Sequence, residues 1–154
     1  MLSSLRRLLD RQRRLQPIDL AVLASVRQQL EGDVLDRWDR QVAAIGFVQR
    51  MPDGCEIEFC QLDGNEQDRR FRNEAPELRV AEVRFTADRR QLRCEVWCVR
   101  GDLFSIEYSD CALMRLVNRR MRKSAQACPP VCTLVADLQA SSMAVAQAPL
   151  EAHA

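Results

Sequence analysis

Three kinds of side chain in this 154-residue chain could do chemistry: seven cysteines, glutamates at alternate positions, and two arginine clusters. The one histidine, His153, is the next-to-last residue. Ser-His-Asp and Cys-His machinery needs a positioned imidazole, and a chain end is a poor place to hold one. The cysteine spacings Cys55/Cys60, Cys94/Cys98 and Cys128/Cys132 include no C-x2-C. On one strand, Cys94 and Cys98 would stand about 13 Å apart. That is too far to share a tetrahedral zinc at about 2.3 Å per bond. Cys55 and Cys60 have odd spacing and point to opposite faces. Cys128 and Cys132 enclose Pro129, Pro130 and Val131, and a stiff loop of this kind can bring two thiols near disulfide geometry. The reading is core thiols, no metal ligand set and no cofactor.

Glu56 and Glu58 alternate on one predicted strand, and Glu82, Glu95 and Glu107 fall on the same side of its neighbours. Paired carboxylates can act as acid and base or bind Mg2+. Arg84 and Arg93 are interleaved with them, which favours a solvated face of mixed charge. An enzyme using these carboxylates is therefore an alternative, and no catalytic residue is assigned. Neither G-x-G-x-x-G, a Walker sequence nor G-x-S-x-G occurs, so standard dinucleotide, NTP and hydrolase signatures are absent.

The arginine clusters invite phosphate contacts. Arg6, Arg7, Arg13 and Arg14 lie in a basic N-terminal segment, and Arg119, Arg120, Arg122 and Lys123 in a second near the C-terminus. Such clusters can neutralise a nucleic-acid backbone. The pI of about 7.6 and 5% aromatic content argue against a stacking platform for single strands. Of the 23 basic residues, Lys123 alone is lysine, a bias that a GC-rich genome would also produce. For partner binding, Trp97 lies on the charged face of its strand, and an aromatic there can anchor an interface. The long polar stretch 63–77 carries Phe71 between Arg70 and Arg72. Loops of this length are often functional. Trp97, Phe71, Arg70 and Arg72 form the expected partner surface.

These residues need a scaffold. Residues 1–16 read as a basic amphipathic helix, 17–139 as a single α+β domain and 140–154 as a flexible tail. Asp19 is an expected N-cap for a helix burying Leu20, Leu23, Val26 and Leu30. A third helix buries Leu35, Trp38, Val42 and Ile45. From Gly46 the apolar period shifts to two. Strands are expected at 47–50, 55–62, 78–86, 91–100 and 103–109. Their inward residues include Ala81, Val83 and Phe85, then Leu92, Cys94, Val96 and Cys98, then Phe104, Ile106 and Tyr108. Three hairpin-like connections imply a mostly antiparallel meander. Charge pairing places Arg84 opposite Glu95, with Arg89-Arg90 as the loop, because like charges directly opposite are destabilising. A short basic helix follows, and a last one is expected over 131–138. The fold class is α+β: N-terminal helices on a five-stranded, mainly antiparallel sheet.

The hydrophobic content of 47% and charged content of 29% are those of a globular chain. No apolar run reaches the roughly 18 residues of a membrane span, and the Arg-rich N-terminus lacks a signal peptide's apolar stretch. An odd number of cysteines fits a reducing, cytoplasmic and bacterial setting. The net charge of +1 hides an uneven spread: +4 over 1–15, −6 over 16–114, +5 over 115–123 and −2 beyond.

Three runs, IGFVQR at 45–50, VAEVRFT at 80–86 and GDLFSIEYS at 101–109, resemble small uncharacterised bacterial proteins in which helices precede a strand meander. The helix-then-sheet order is also similar to the SUKH superfamily of toxin-immunity proteins, although the chain has no Asn-Gly-Gly turn. The resemblance implies a protein-binding, immunity-type role and no site residue. The expected function is a non-enzymatic cytosolic module that binds another protein. Nucleic-acid binding through the basic segments is the second reading.

Overall fold

The computed structural model describes residues 14–61 and 67–141. Of the expected N-terminal helix 1–16, residues 1–13 lie outside the described residues, as do 62–66 and, in the tail, 142–154. Arg14, Leu15 and Gln16 are not helical.

Helix α1 spans Pro17–Arg27. Proline at the first helical position gives up an N–H that would have no partner there. The Asp19 carboxylate accepts the Gln16 backbone N–H at 2.6 Å. Asp19 therefore sits inside the first turn, not at the expected cap. The earlier start rotates the buried stripe to Ile18, Val22, Leu23 and Val26, and leaves Leu20 51% exposed. Helix α2, Gly32–Ala43, buries Val34, Trp38 and Gln41.

The strands are β1 Ile45–Arg50, β2 Glu56–Gln61, β3 Leu78–Ala87, β4 Arg90–Val99, β5 Asp102–Tyr108 and β6 Val131–Leu134. A single 3-10 turn, Gln67–Arg69, precedes β3, and helix α3, Cys111–Lys123, follows β5. All pairings are antiparallel, in the order β1-β2-β5-β4-β3-β6. The sheet thus has six strands, not five, and is not a simple meander, since β2 pairs with β5.

The sixth strand replaces the helix expected over 131–138. Val131 and Thr133 face out while Cys132 and Leu134 turn toward the core. Pro129 and Pro130 feed the chain in extended, and β3 supplies an edge to bond. Four residues are too few for their alternation to outweigh a helical pattern.

The β3–β4 register also departs from expectation. Arg84 pairs with Arg93 and Glu82 with Glu95. The connecting loop is Asp88-Arg89, with φ of 50° and 61°. A two-residue hairpin loop with both residues at positive φ matches strand twist, and Asp tolerates that region better than most residues. Turn geometry decides the register, and the charges pair diagonally instead. Arg84 bonds Glu82 within β3, and Arg79 Nη1 donates to Glu95 Oε1 at 2.8 Å. A similar turn, Arg100-Gly101, joins β4 to β5, both residues at positive φ.

The three helices cover one sheet face, where Ile57, Val83, Phe85, Leu92, Cys94, Val96, Cys98 and Ile106 are fully buried. Two buried polar knots tie the layers. In the first, Gln41 donates through Nε2 to Arg69 O at 2.7 Å and Gly101 O at 2.9 Å, and its Oε1 accepts the Leu103 N–H at 2.5 Å. In the second, the Asp19 carboxylate accepts from the Tyr108 hydroxyl at 2.5 Å and from Arg50 Nη2. Asn118 joins it, donating to Gln16 Oε1 at 2.7 Å and accepting the Ile18 N–H at 3.2 Å.

Candidate functional site

The expected partner surface divides once the chain is folded. Phe71 is 1% exposed and lies against Trp38, ring centroids 6.3 Å apart. It is a core residue, not a surface anchor. Arg70 pairs with Asp102 at 3.1 Å, while Arg72 is exposed. The described part of the 63–77 stretch is strapped down. Phe71 N–H donates to Gly101 O, Asn73 N–H to Leu138 O, and Arg100 N–H to Ala75 O. The aromatic in a polar run signalled burial, because a strap needs a side chain that reaches the core.

Trp97 does lie on the open sheet face. Directly paired residues place Glu56 beside Glu107, Glu107 beside Glu95 and Glu95 beside Glu82, one carboxylate on each of β2, β5, β4 and β3. The row is not evenly compensated. Glu82 has Arg84, and Glu95 has Arg79 with Arg93 further off at 3.8 Å. Glu56 and Glu107 have no cationic partner among the described residues, and neither does Glu77 just before β3.

These three line one depression of about 200 Å3 with Trp97, Val99, Phe104 and Ser105. Phe104 was expected to face inward. A register shift in the β4–β5 pairing puts Trp97 opposite Ser105 and Cys98 opposite Leu103. The extra residue of such a bulge changes face, so Phe104 is 37% exposed while Leu103 is buried. Of the carboxylates that the alternative enzyme reading would use, Glu56 and Glu107 reach the depression, whereas Glu58 and Glu95 do not line it.

Glu107 holds its proton more tightly than an ordinary glutamate. Burial is the largest cause, followed by the charges of Glu56, Glu95 and Glu77. The Trp97 indole N–H opposes this weakly; it is shielded from solvent and meets no hydrogen-bond geometry. A carboxyl with a raised folded-state pKa contributes stability when protonated. That stability is lost as pH rises from the ordinary glutamate range through the raised value. Glu107→Gln should therefore raise stability at neutral pH, by about 0.2–1 kcal/mol for one relieved like-charge neighbour. Urea unfolding at pH 7.5 and 4 checks this, the gain shrinking at the lower pH. Equal or lower stability at pH 7.5 would contradict it.

The basic residues are less assembled. Arg6, Arg7 and Arg13 lie outside the described residues. Arg14 is exposed, and its carbonyl accepts from Arg50 Nη2 at 3.1 Å. On α3, Arg119, Arg120, Arg122 and Lys123 line a shallow depression with Leu116, and Arg120 is committed to Asp88 at 2.6 Å.

Cysteine chemistry also moves. Cys55, just before β2, is disulfide-bonded to Cys111, the first residue of α3, with Cα atoms 5.0 Å apart. Cys128 is buried and Cys132 half-buried, both with free thiols, so the stiff loop around the two prolines does not join them. Burial pushes the Cys94 and Cys98 thiols well up. The Asp53 carboxylate lies within 4.8 Å of both disulfide sulfurs, which as a disulfide offer no thiolate to a metal. No described helix is long and apolar enough to cross a membrane.

Compared with known proteins, the chain matches no family model, no curated protein and no solved structure.

Proposed function

We propose that the chain is a non-enzymatic protein-binding module whose open sheet face takes a basic segment of its partner. An Arg or Lys side chain of that segment enters the Trp97 depression. The reading is supported above all by the three uncompensated carboxylates, Glu56, Glu77 and Glu107, around two aromatic rings. A cation there meets opposite charge and aromatic faces together, and cation–π contact adds about 0.5–2 kcal/mol. Repulsion among the glutamates, costly in the free protein, is relieved on binding.

Among the described residues, the Ser105 hydroxyl of the depression is hydrogen-bonded to neither Glu56 nor Glu107, an arrangement that favours binding over catalysis. An accessory or immunity-type role in the bacterial cytoplasm belongs to the same class, since an immunity protein acts by holding its partner.

A fluorescein-labelled peptide of alternating Arg and Gly, titrated with the protein, tests the site by anisotropy. Trp97→Ala should weaken binding about tenfold or more, as loss of a central aromatic anchor does. The melting temperature reports whether the variant is folded. Unchanged affinity in a folded Trp97→Ala would refute the site. Duplex DNA in the same assay covers the second reading. If DNA binds instead, with steep salt dependence lost on reversing Arg119 and Arg122, the basic face of α3 is the functional surface.

A further inference from the structure

Five of the seven cysteines have free thiols: Cys94, Cys98 and Cys128 are buried, and Cys60 and Cys132 lie half-buried on separate strands. Cys55 and Cys111 differ. Both are half-buried at the rim where the β1–β2 turn meets the start of α3, beside the exposed Asp53.

Their surroundings are unequal. Cys111 follows the N-cap Asp110. Its sulfur sits at the helix end whose free N–H groups favour negative charge. Arg115, one turn on, adds a cation on the same side of α3. The Asp110 carboxylate is already engaged, accepting the Leu113 N–H at 2.9 Å and Arg90 Nη2 at 2.6 Å. Cys55 has no such helix end beside it; its backbone N–H donates to Asp53 Oδ1 at 2.9 Å. The Asp53 carboxylate lies within 4.8 Å of both sulfurs, so what sets Cys111 apart is the helix end and the Arg115 cation on its side.

The frame does not depend on the bond. Tyr108 N–H donates to Cys55 O at 2.6 Å, and Gly54 N–H to Met51 O at 2.8 Å. With the disulfide open, these bonds and the Asp110 cap still hold both sulfurs at one place. A pair so held closes by an intramolecular step.

We infer that Cys111 is a nucleophilic thiol that exchanges with low-molecular-weight disulfides, and that Cys55 resolves the adduct. From the reduced state, the Cys111 thiolate attacks glutathione disulfide. A mixed disulfide forms on Cys111 and one glutathione thiolate leaves. The Cys55 thiol loses its proton to solvent and attacks the Cys111 sulfur, expelling the second glutathione. Two protein thiols are oxidised and one glutathione disulfide is reduced to two thiols. With glutathione in excess the sequence runs backward. Intracellular disulfides that form and open in this way are transient and redox-sensing.

The test uses the full chain in glutathione buffers of graded ratio, quenched with a maleimide and read by intact mass and peptide mapping. Native wild type should gain two modifiable thiols together, on Cys55 and Cys111, as the ratio becomes reducing. In Cys55→Ser the mixed disulfide should accumulate on Cys111. It should form at least about tenfold faster than on Cys55 in Cys111→Ser, as a stabilised thiolate requires. A bond that opens only in denaturant would overturn the inference, as would faster adduct formation on Cys55. The wild-type measurement stands even if a serine variant fails to fold.

Discussion

Gln41→Leu should lower the unfolding free energy by about 3–5 kcal/mol, the sum expected for buried polar groups stripped of their partner. Leucine is close to glutamine in volume, so little of the loss comes from a cavity. What remains is the Leu103 N–H, which would have lost its acceptor, and two carbonyls, Arg69 O and Gly101 O, which would have lost a donor. Gly101 O keeps the Phe71 N–H at 2.9 Å, so its share is the smallest. Gln41→Glu is the informative companion. It retains an acceptor for Leu103 but turns the donor into a buried charge facing two carbonyls, and should be no better than leucine. Chemical unfolding of both variants checks this; a loss under about 1 kcal/mol for Gln41→Leu would mean that water replaces the amide. The strap that includes Phe71 hangs on the same residue, because Gln41 ties Arg69, at the end of the 3-10 turn, to Gly101 and Leu103 at the start of β5.

Asp19→Ala should cost a similar amount, about 3–5 kcal/mol, the range for removing one partner of a buried ion pair. The Arg50 guanidinium would be left with its charge and no acid. Two of its nitrogens, Nε and Nη1, already lack hydrogen-bond partners. The Tyr108 hydroxyl and the Gln16 N–H would lose their acceptor as well. The double variant Asp19→Leu with Arg50→Met separates charge from packing. Removing both ions should recover more than half of the loss, since replacing a buried pair by apolar residues is often neutral. If the double variant is as unstable as the single one, the knot acts through shape and hydrogen bonding, and the charge of Arg50 is not the cause.

Much of the scaffold was legible because it rests on strict periods. Residues 78–99 alternate over two long strands, and their inward sets, Val83 to Phe85 and Leu92 to Cys98, are buried as the pattern requires. What escaped was decided by features that periodicity does not encode. Asp19 looks like a cap, and one proline two residues earlier moves it into the core. Charge pairing favoured Arg84 opposite Glu95, but a shift of two residues preserves every inward position, so the hydrophobic pattern was silent. The turn at Asp88-Arg89 then chose. Phe104 changed faces through a bulge, which breaks the alternation used to place it. The candidate site was half legible for the same reasons. Trp97, Glu56 and Glu107 follow from alternation on β4, β2 and β5. Phe104 and Glu77 join them only through a bulge and a pre-strand loop. The Cys55–Cys111 bond joins two element ends distant in the chain, and no spacing rule connects such positions.

The strand order carries a consequence for how the molecule assembles. Two parts of the sheet close short loops: the β1–β2 hairpin, and the β3–β4–β5 run whose turns are two residues each. The seam between them, β2 against β5, is of another kind. It pairs Glu56 with Glu107 and Ile57 with Ile106, residues that meet only after the intervening chain has been ordered. Closing so large a loop is entropically slow and is rewarded late. That seam also carries the unrelieved Glu56–Glu107 contact, spans the rim joined by Cys55 and Cys111, and ends beside the Gln41 knot. The β3–β6 pairing, Ala81 with Leu134, spans a similar length of chain, so the sheet is two locally folding pieces with two long-range joints. Charge repulsion, the covalent link and the polar strap all act at the β2–β5 joint.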